Sequence, residues 1–160
     1  MLRTIALSKN RDRLRLLILA GGSFDPYEPL LDELGLRDRV IVRQNMAVVD
    51  EYLEAADMGL YTSEYESFGL GILETLFYGK PVVAFRVGGI PEVVGDSSPL
   101  YAFGDLTAMA AAIDALVKSQ SLARELGERG RNHAIERFSA ARIIPQYEAL
   151  YRRIIVPRPR

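Results

Sequence analysis

The sequence contains no cysteine, no tryptophan and a single histidine, His133. Without cysteine there can be no disulfide, no thiolate nucleophile and no cysteine-bound zinc. One imidazole rules out multi-histidine metal centres and any mechanism needing two, so no metal site is expected. An excess of either charge is also lacking: 20 Lys and Arg stand against 21 Asp and Glu. No basic field is therefore available for non-specific nucleic-acid binding. Long apolar runs are absent as well. Leu16 to Ala20 is far too short to cross a bilayer, and Met1-Leu2-Arg3-Thr4 does not open a signal-peptide core. The reading is a soluble, cytoplasmic domain of 160 residues with globular composition, 49% hydrophobic and 26% charged.

What the chain does contain is a repeated alternation. Leu16-Leu17-Ile18-Leu19-Ala20 ends at Gly21-Gly22, as expected of a parallel strand buried on both faces. Similar runs follow at Val40-Ile41-Val42, Met58 to Tyr61, Pro81 to Phe85 and Pro99 to Ala102. Helical stripes lie between them: Val48, Tyr52, Leu53 and Ala56, then Leu70, Leu73, Leu76 and Phe77. Strands alternating with helices predict an α/β, Rossmann-like domain with a mostly parallel sheet. A helical part over about 105–155 completes a single domain of residues 1–160. Its first helix is capped by Asp105, a second opens at Ser121 and a third at Ser139. Pro145 should kink the third, whose stripe is Ile144, Tyr147, Leu150, Tyr151 and Ile154. The tail 156–160 reads as frayed.

Chemistry concentrates between Ser63 and Glu74, at the carboxyl end of the third run, where open α/β sheets bind ligands. Ser67 can cap a helix starting near Phe68. Gly69 and Gly71 leave the first-turn amides uncovered, an anion site made of N–H groups and the helix dipole. Glu66 precedes the helix and Glu74 lies within it. A second glycine loop, Gly88-Gly89, follows the next strand; it permits close approach of a ligand, and Pro91 suits the first turn of a helix. Arg86 is the nearest cation. Tyr61, Tyr65 and Tyr78 read as packing residues, His133 as structural or exposed, and Arg124, Arg129, Arg131 and Arg137 as a solvated face.

Glu66-Ser-Phe-Gly-Leu-Gly-Ile-Leu-Glu74 resembles the E-x7-E signature of retaining glycosyltransferases of family 4, which have the GT-B fold. Gly79-Lys80-Pro81-Val82-Val83-Ala84 and Val87 to Val94 resemble the strand and loop that follow it in that family. Within the family, Ser63-Glu64 to Leu70, Arg86 to Val94 and Phe138 with Gln146-Tyr147-Glu148 are most similar to enzymes that transfer N-acetylglucosamine to L-malate. The resemblance implies a carboxyl-terminal donor lobe that takes a nucleotide sugar, UDP-linked, as substrate and needs no cofactor. It implies that Glu66 is catalytic, set beside the donor sugar. Ser67, Phe68, Gly69 and Leu70 would meet sugar and diphosphate, Glu74 the ribose hydroxyls, Asn45 and Met46 the base, with Gly21 and Gly22 also in the donor site.

The departures from the pattern are equally informative. The acceptor-binding lobe is not in the sequence. Met1 to Asn10 already reads as the helix that follows the family's first strand, so that strand and the Arg-x4-Lys cations are missing. Lys9, seven residues before Leu16, stands too close to it to serve as the family lysine. Two charge-assisted contacts of about 1.5–3 kcal/mol each are thereby lost, roughly 10²–10⁴ in donor affinity. The expected partners are a nucleotide sugar and either a separate acceptor lobe or a second copy of the chain. The leading expectation is an enzyme part that is inactive alone. A degenerate, non-catalytic nucleotide-binding or oligomerisation module is the alternative, and a nucleotide-sugar epimerase ranks last because its further acids and histidines are absent.

Overall fold

The structure, a computed structural model, describes residues 1–155; the tail read as frayed lies outside the described residues. Helix α1 (Leu2–Leu7) leads into β1 (Leu16–Ala20), followed by α2 (Glu28–Glu33), β2 (Val40–Gln44), α3 (Asp50–Ala55) and β3 (Gly59–Tyr61). Then come α4 (Leu70–Phe77), β4 (Val82–Phe85), α5 (Ile90–Val94), β5 (Leu100–Tyr101), α6 (Leu106–Lys118), α7 (Gln120–Phe138) and α8 (Ala140–Ile154). Every strand pairing is parallel, as a chain that crosses over through a helix between strands requires.

Strand β4 shows why the apolar runs become strands buried on both sides. Its four residues are all buried, and they alternate between two cores. Val82 and Ala84 join Ile72, Leu76, Val93 and Ala134 beneath α4, α5 and α7. Val83 and Phe85 join Ile5, Met109 and Ile113 beneath α1 and α6. The period of two along the strand thus assigns each residue to a layer.

Strand β1 does not meet the expectation of burial on both faces. Leu19 is 37% exposed, and Ile41 on neighbouring β2 is 43% exposed. The cause is topological: the strands form two sheets, β1-β2 and β3-β4-β5. The facing edges of β1 and β3 line a groove of about 590 Å³ instead of hydrogen-bonding to a common neighbour.

The carboxyl-terminal helices hold the layers together. Asp105 accepts from the Ala108 N–H at 2.9 Å, the cap its position predicts. Helix α7 is capped by Ser119 rather than opened by Ser121: the Ser119 hydroxyl reaches the Leu122 N–H at 3.2 Å. Gly127 and Gly130 bring α7 against α4, where a Cβ on Gly127 would lie 2.0 Å from the Gly79 carbonyl oxygen. Helix α8 begins after Ser139 and continues through Pro145. Its stripe of Ile144, Tyr147, Leu150, Tyr151 and Ile154 is exposed. Helix α3 starts at Asp50, so Val48 falls outside it and is 60% exposed.

One buried carboxylate is marked by no sequence motif. Asp114 on α6 accepts from the Ser8 hydroxyl at 2.6 Å, the Lys9 N–H at 3.0 Å, and the Asn10 amide nitrogens at 3.2 and 2.9 Å. It thereby ties the end of α1 to α6, and it holds Lys9 at the amino-terminal side of β1, away from the loops that follow the strands. Burial pushes the Asp114 carboxyl up, but these four donors outweigh it and bring it down to about 2.

Candidate nucleotide-sugar site

The loop between β3 and α4 ends at Gly69, whose φ of 101° and ψ of 54° lie in the left-handed region. Glycine occupies that backbone without penalty, and it sets the start of the helix. The helix begins at Leu70 and not near Phe68, and Ser67 is exposed and caps nothing. The reason is that the left-handed turn at Gly69 comes between Ser67 and the helix. The result favours anion binding. The first-turn N–H groups of Leu70, Gly71 and Ile72 receive no side-chain cap and have no partner within the helix.

Glu66 and Glu74 frame this helix start. Glu66 is half-buried, and its Cγ lies 3.5 Å from where a Cβ on Gly69 would stand. Glu74 is exposed and one turn beyond Leu70, itself 66% exposed, so the two share a face of α4. Phe68 packs edge-on against Phe138 of α7, with ring centroids 5.7 Å apart.

Tyr61 locks the same turn to β3. Its hydroxyl donates to the Gly71 carbonyl at 2.6 Å and lies 2.5 Å from the Thr75 hydroxyl, whose single proton is shared between the Tyr61 oxygen and the same carbonyl, 2.9 Å away. Burial pushes the Tyr61 phenol up, the Thr75 hydrogen bond pulls it part of the way back, and the Glu74 charge adds to the rise. Tyr61 is thus a packing residue, as its position at the end of an apolar run suggests. Tyr78 instead stands at the surface and donates to Asp50 at 2.6 Å. Tyr65 does not pack: it is 79% exposed beside Glu66, because the loop turns its side chain outward.

The second glycine loop makes a close approach to the chain itself. Gly88 has φ +49°, and a Cβ there would fall 1.9 Å from the Glu66 carbonyl oxygen. A Cβ on Gly89 would fall 2.4 Å from that of Ser67. The Gly89 N–H donates to the Glu66 carbonyl at 2.8 Å. Pro91 takes its expected place in the first turn of α5. Arg86 is exposed and forms no ion pair among the described residues. His133 is structural: a Cβ on Gly95 would lie 2.5 Å from its Cε1, and its ring stands 6.0 Å from that of Phe138. In the arginine run, Arg129 departs from a purely solvated role by donating to the Ser97 carbonyl at 3.0 Å.

The loops after β1 and β2 form the other half of the site edge. Asn45 has a left-handed φ of 55°, and its N–H donates to the Ala20 carbonyl at 2.9 Å. The Gln44 side chain donates to the Gly22 carbonyl at 3.2 Å. Met46 is 41% exposed. Around Gly21 and Gly22 there is open space. All these loops leave the carboxyl ends of parallel strands and so open on one edge.

Comparison with known proteins decides the family. The model for "Glycosyl transferases group 1" matches residues 1–133. The chain belongs to that family. Among curated glycosyltransferases, it is 40% identical over 138 residues to the N-acetyl-alpha-D-glucosaminyl L-malate synthase of Bacillus anthracis, covering 85% of this chain and 36% of that protein. It is 36% identical over 137 residues to the MMP alpha-(1->4)-mannosyltransferase of Mycolicibacterium hassiacum, covering 81% and 33%. This glycosyltransferase chain thus spans about a third of the length of those relatives. A crystal structure of a TarM variant from S. aureus, in complex with fondaparinux, alpha-GlcNAc-glycerol and UDP, matches with a TM-score of 0.85 at 26% identity, over 94% of this chain and 31% of that one. The parallel sheets flanked by helices are those of GT-B glycosyltransferases. Among the described residues no helix is long and apolar enough to cross a membrane.

Proposed function

We propose that this chain is the donor-binding lobe of a retaining glycosyltransferase of family 4, taking a UDP-linked hexose or N-acetylhexosamine and inactive without an acceptor lobe. The observation that carries the reading is the uncapped first turn of α4, opened by Gly69 and framed by Glu66 and Glu74. Three amides at the positive end of a helix suit a diphosphate, and their hold strengthens as negative charge develops on the leaving nucleoside diphosphate. Glu74, one turn beyond those amides, suits a neutral ribose diol, which does not repel it. Glu66, whose carbonyl is held by the Gly89 amide, would stand beside the sugar, and Asn45 and Met46 beside the base. UDP as the nucleotide carrier finds support in the TarM complex, which contains it.

Calorimetric titration with UDP, GDP, ADP and their sugars tests the reading. Heat of binding with UDP and UDP-N-acetylglucosamine, together with no transfer by the isolated chain to any acceptor, is the expected result. Absence of binding across the panel would leave the degenerate module as the better description, and transfer by the chain alone would refute its incompleteness.

A further inference from the structure

Helix α3 has little packing of its own. It has six residues, none of them buried, and a helix that short does not hold itself together in water. The loop 45–49, which carries Asn45 and Met46, runs directly into it, and the Tyr52 hydroxyl reaches back to the Met46 sulfur at 3.8 Å. Whatever fixes α3 therefore fixes that loop.

Among the described residues, two side chains of another part of the fold reach α3 by hydrogen bonds. The Tyr78 hydroxyl donates to Asp50 Oδ1 at 2.6 Å, in the first turn, and Lys80 Nζ donates to the Glu54 carbonyl at 2.7 Å, in the last. The second contact also sets a cation at the negative end of the helix. Both come from the turn that ends α4. Gly79, at φ +67°, closes that turn: its N–H donates to the Leu76 carbonyl at 2.9 Å, and the Lys80 N–H donates to the Thr75 carbonyl at 3.2 Å. Helix α7 backs the turn, since a Cβ on Gly127 would overlap the Gly79 carbonyl. Tyr78 and Lys80 thus project from a braced corner, on either side of one glycine, and grip the two ends of α3.

We propose that Tyr78 and Lys80 are positioning residues for the nucleotide: they clamp α3 to the far end of α4 and so set the loop 45–49 at a fixed distance from the first-turn amides. The inference rests on the donor-site reading given above. Helix α4 carries those amides at one end and the clamp at the other, eight residues or about 12 Å apart. Diphosphate and base are then held by two ends of one assembly. A displaced α3 carries Met46 with it, so loss of the clamp weakens a ligand that reaches the base and spares one that consists of the diphosphate alone.

The test compares Tyr78→Phe, Lys80→Met and the double variant with the natural chain. Calorimetry uses two probes, UDP and inorganic pyrophosphate. Amide hydrogen exchange is read at Tyr52, Leu53 and Ala56, whose N–H groups close α3, and at Val83 in the buried strand β4. In the double variant UDP should bind about fivefold to tenfold more weakly, with pyrophosphate within about twofold of its natural value. Exchange should quicken by about tenfold or more at the three α3 amides and stay unchanged at Val83. Unchanged exchange in α3 overturns the clamp. Faster exchange there with unchanged UDP affinity overturns its part in binding. Equal weakening of both probes, or faster exchange at Val83 as well, marks a general loosening of the fold and overturns it too. A natural chain that binds neither probe counts against the donor-site reading itself, and the exchange comparison then decides by itself whether Tyr78 and Lys80 hold α3.

Discussion

The N–H of Gly89 donates to the carbonyl of Glu66 at 2.8 Å, so the loop after β4 supports the loop that opens the candidate site. Gly88 makes that contact possible, since a Cβ there would overlap the same carbonyl oxygen at 1.9 Å. Gly88→Ala combines this overlap with a left-handed backbone. It should lower unfolding free energy by more than about 2 kcal/mol and abolish UDP binding. Gly21→Ala, which meets open space, should stay within about 0.5 kcal/mol of the natural chain. Urea unfolding of both variants checks the contrast; equal stability would mean that the two loops do not constrain each other.

The two glutamates should separate by ligand. Glu74→Ala is expected to weaken UDP and UDP-N-acetylglucosamine alike, because the ribose diol is common to both. Glu66→Ala should weaken mainly the sugar-bearing ligand. Each hydrogen bond lost corresponds to about 0.5–1.5 kcal/mol, roughly 2- to 13-fold in Kd. Calorimetry with the two ligands and two variants reads this directly, and an identical pattern for both variants would contradict the assignment.

Asp114 makes stability depend on pH in a defined window. Its carboxyl is held at about 2, below the 3.8 of an ordinary aspartate. A depressed carboxylate contributes stability that is complete above about pH 4 and disappears as pH falls through about 2. The contribution is on the order of 2 kcal/mol. Asp114→Asn turns amide hydrogens toward the Ser8 and Asn10 donors and should be less stable than the natural chain at pH 7. The difference should shrink between pH 4 and pH 2, as followed by urea titrations at several pH values. A difference independent of pH would assign the loss to packing alone.

The exposed stripe of α8 should drive self-association. Tyr147, Leu150, Tyr151 and Ile154 are each at least 45% exposed, and covering such side chains is worth roughly 1.5–3 kcal/mol apiece when burial is complete. Light scattering at low micromolar concentration is expected to find a dimer or larger species, and Leu150→Glu with Tyr151→Glu to return it to monomer. A monomeric natural chain with α8 intact would exclude this face as the contact.

Much of this was legible in the sequence where one physical rule acts alone. The run at Val82–Phe85 had to be a two-sided strand, and Asp105 ahead of an apolar stripe had to cap α6. Reading failed where rules compete or where the partner is remote. Ser67 has the chemistry of a cap, but the left-handed backbone of Gly69 sets the helix start. Gly88-Gly89 announced a close approach without saying to what, since a missing Cβ does not name its neighbour. Leu16–Ala20 has the composition of a doubly covered strand, yet coverage depends on the strand beside it. Asp114 and Ser8 lie 106 positions apart, and a single acid on a helix gives no sign that distant donors will surround it.

The split of the sheet has a consequence for any ligand that reaches from Asn45 to Leu70. Asn45 is anchored to β1 through Ala20, whereas the first turn of α4 is anchored to β3 through Tyr61. A nucleotide sugar bound as proposed would span two footings that no backbone ladder among the described residues connects, and so would act as a tie-rod between them. Its affinity then includes the work of fixing their spacing. Anything that fixes that spacing beforehand tightens the nucleotide, and by thermodynamic reciprocity the nucleotide stiffens the joint by the same factor.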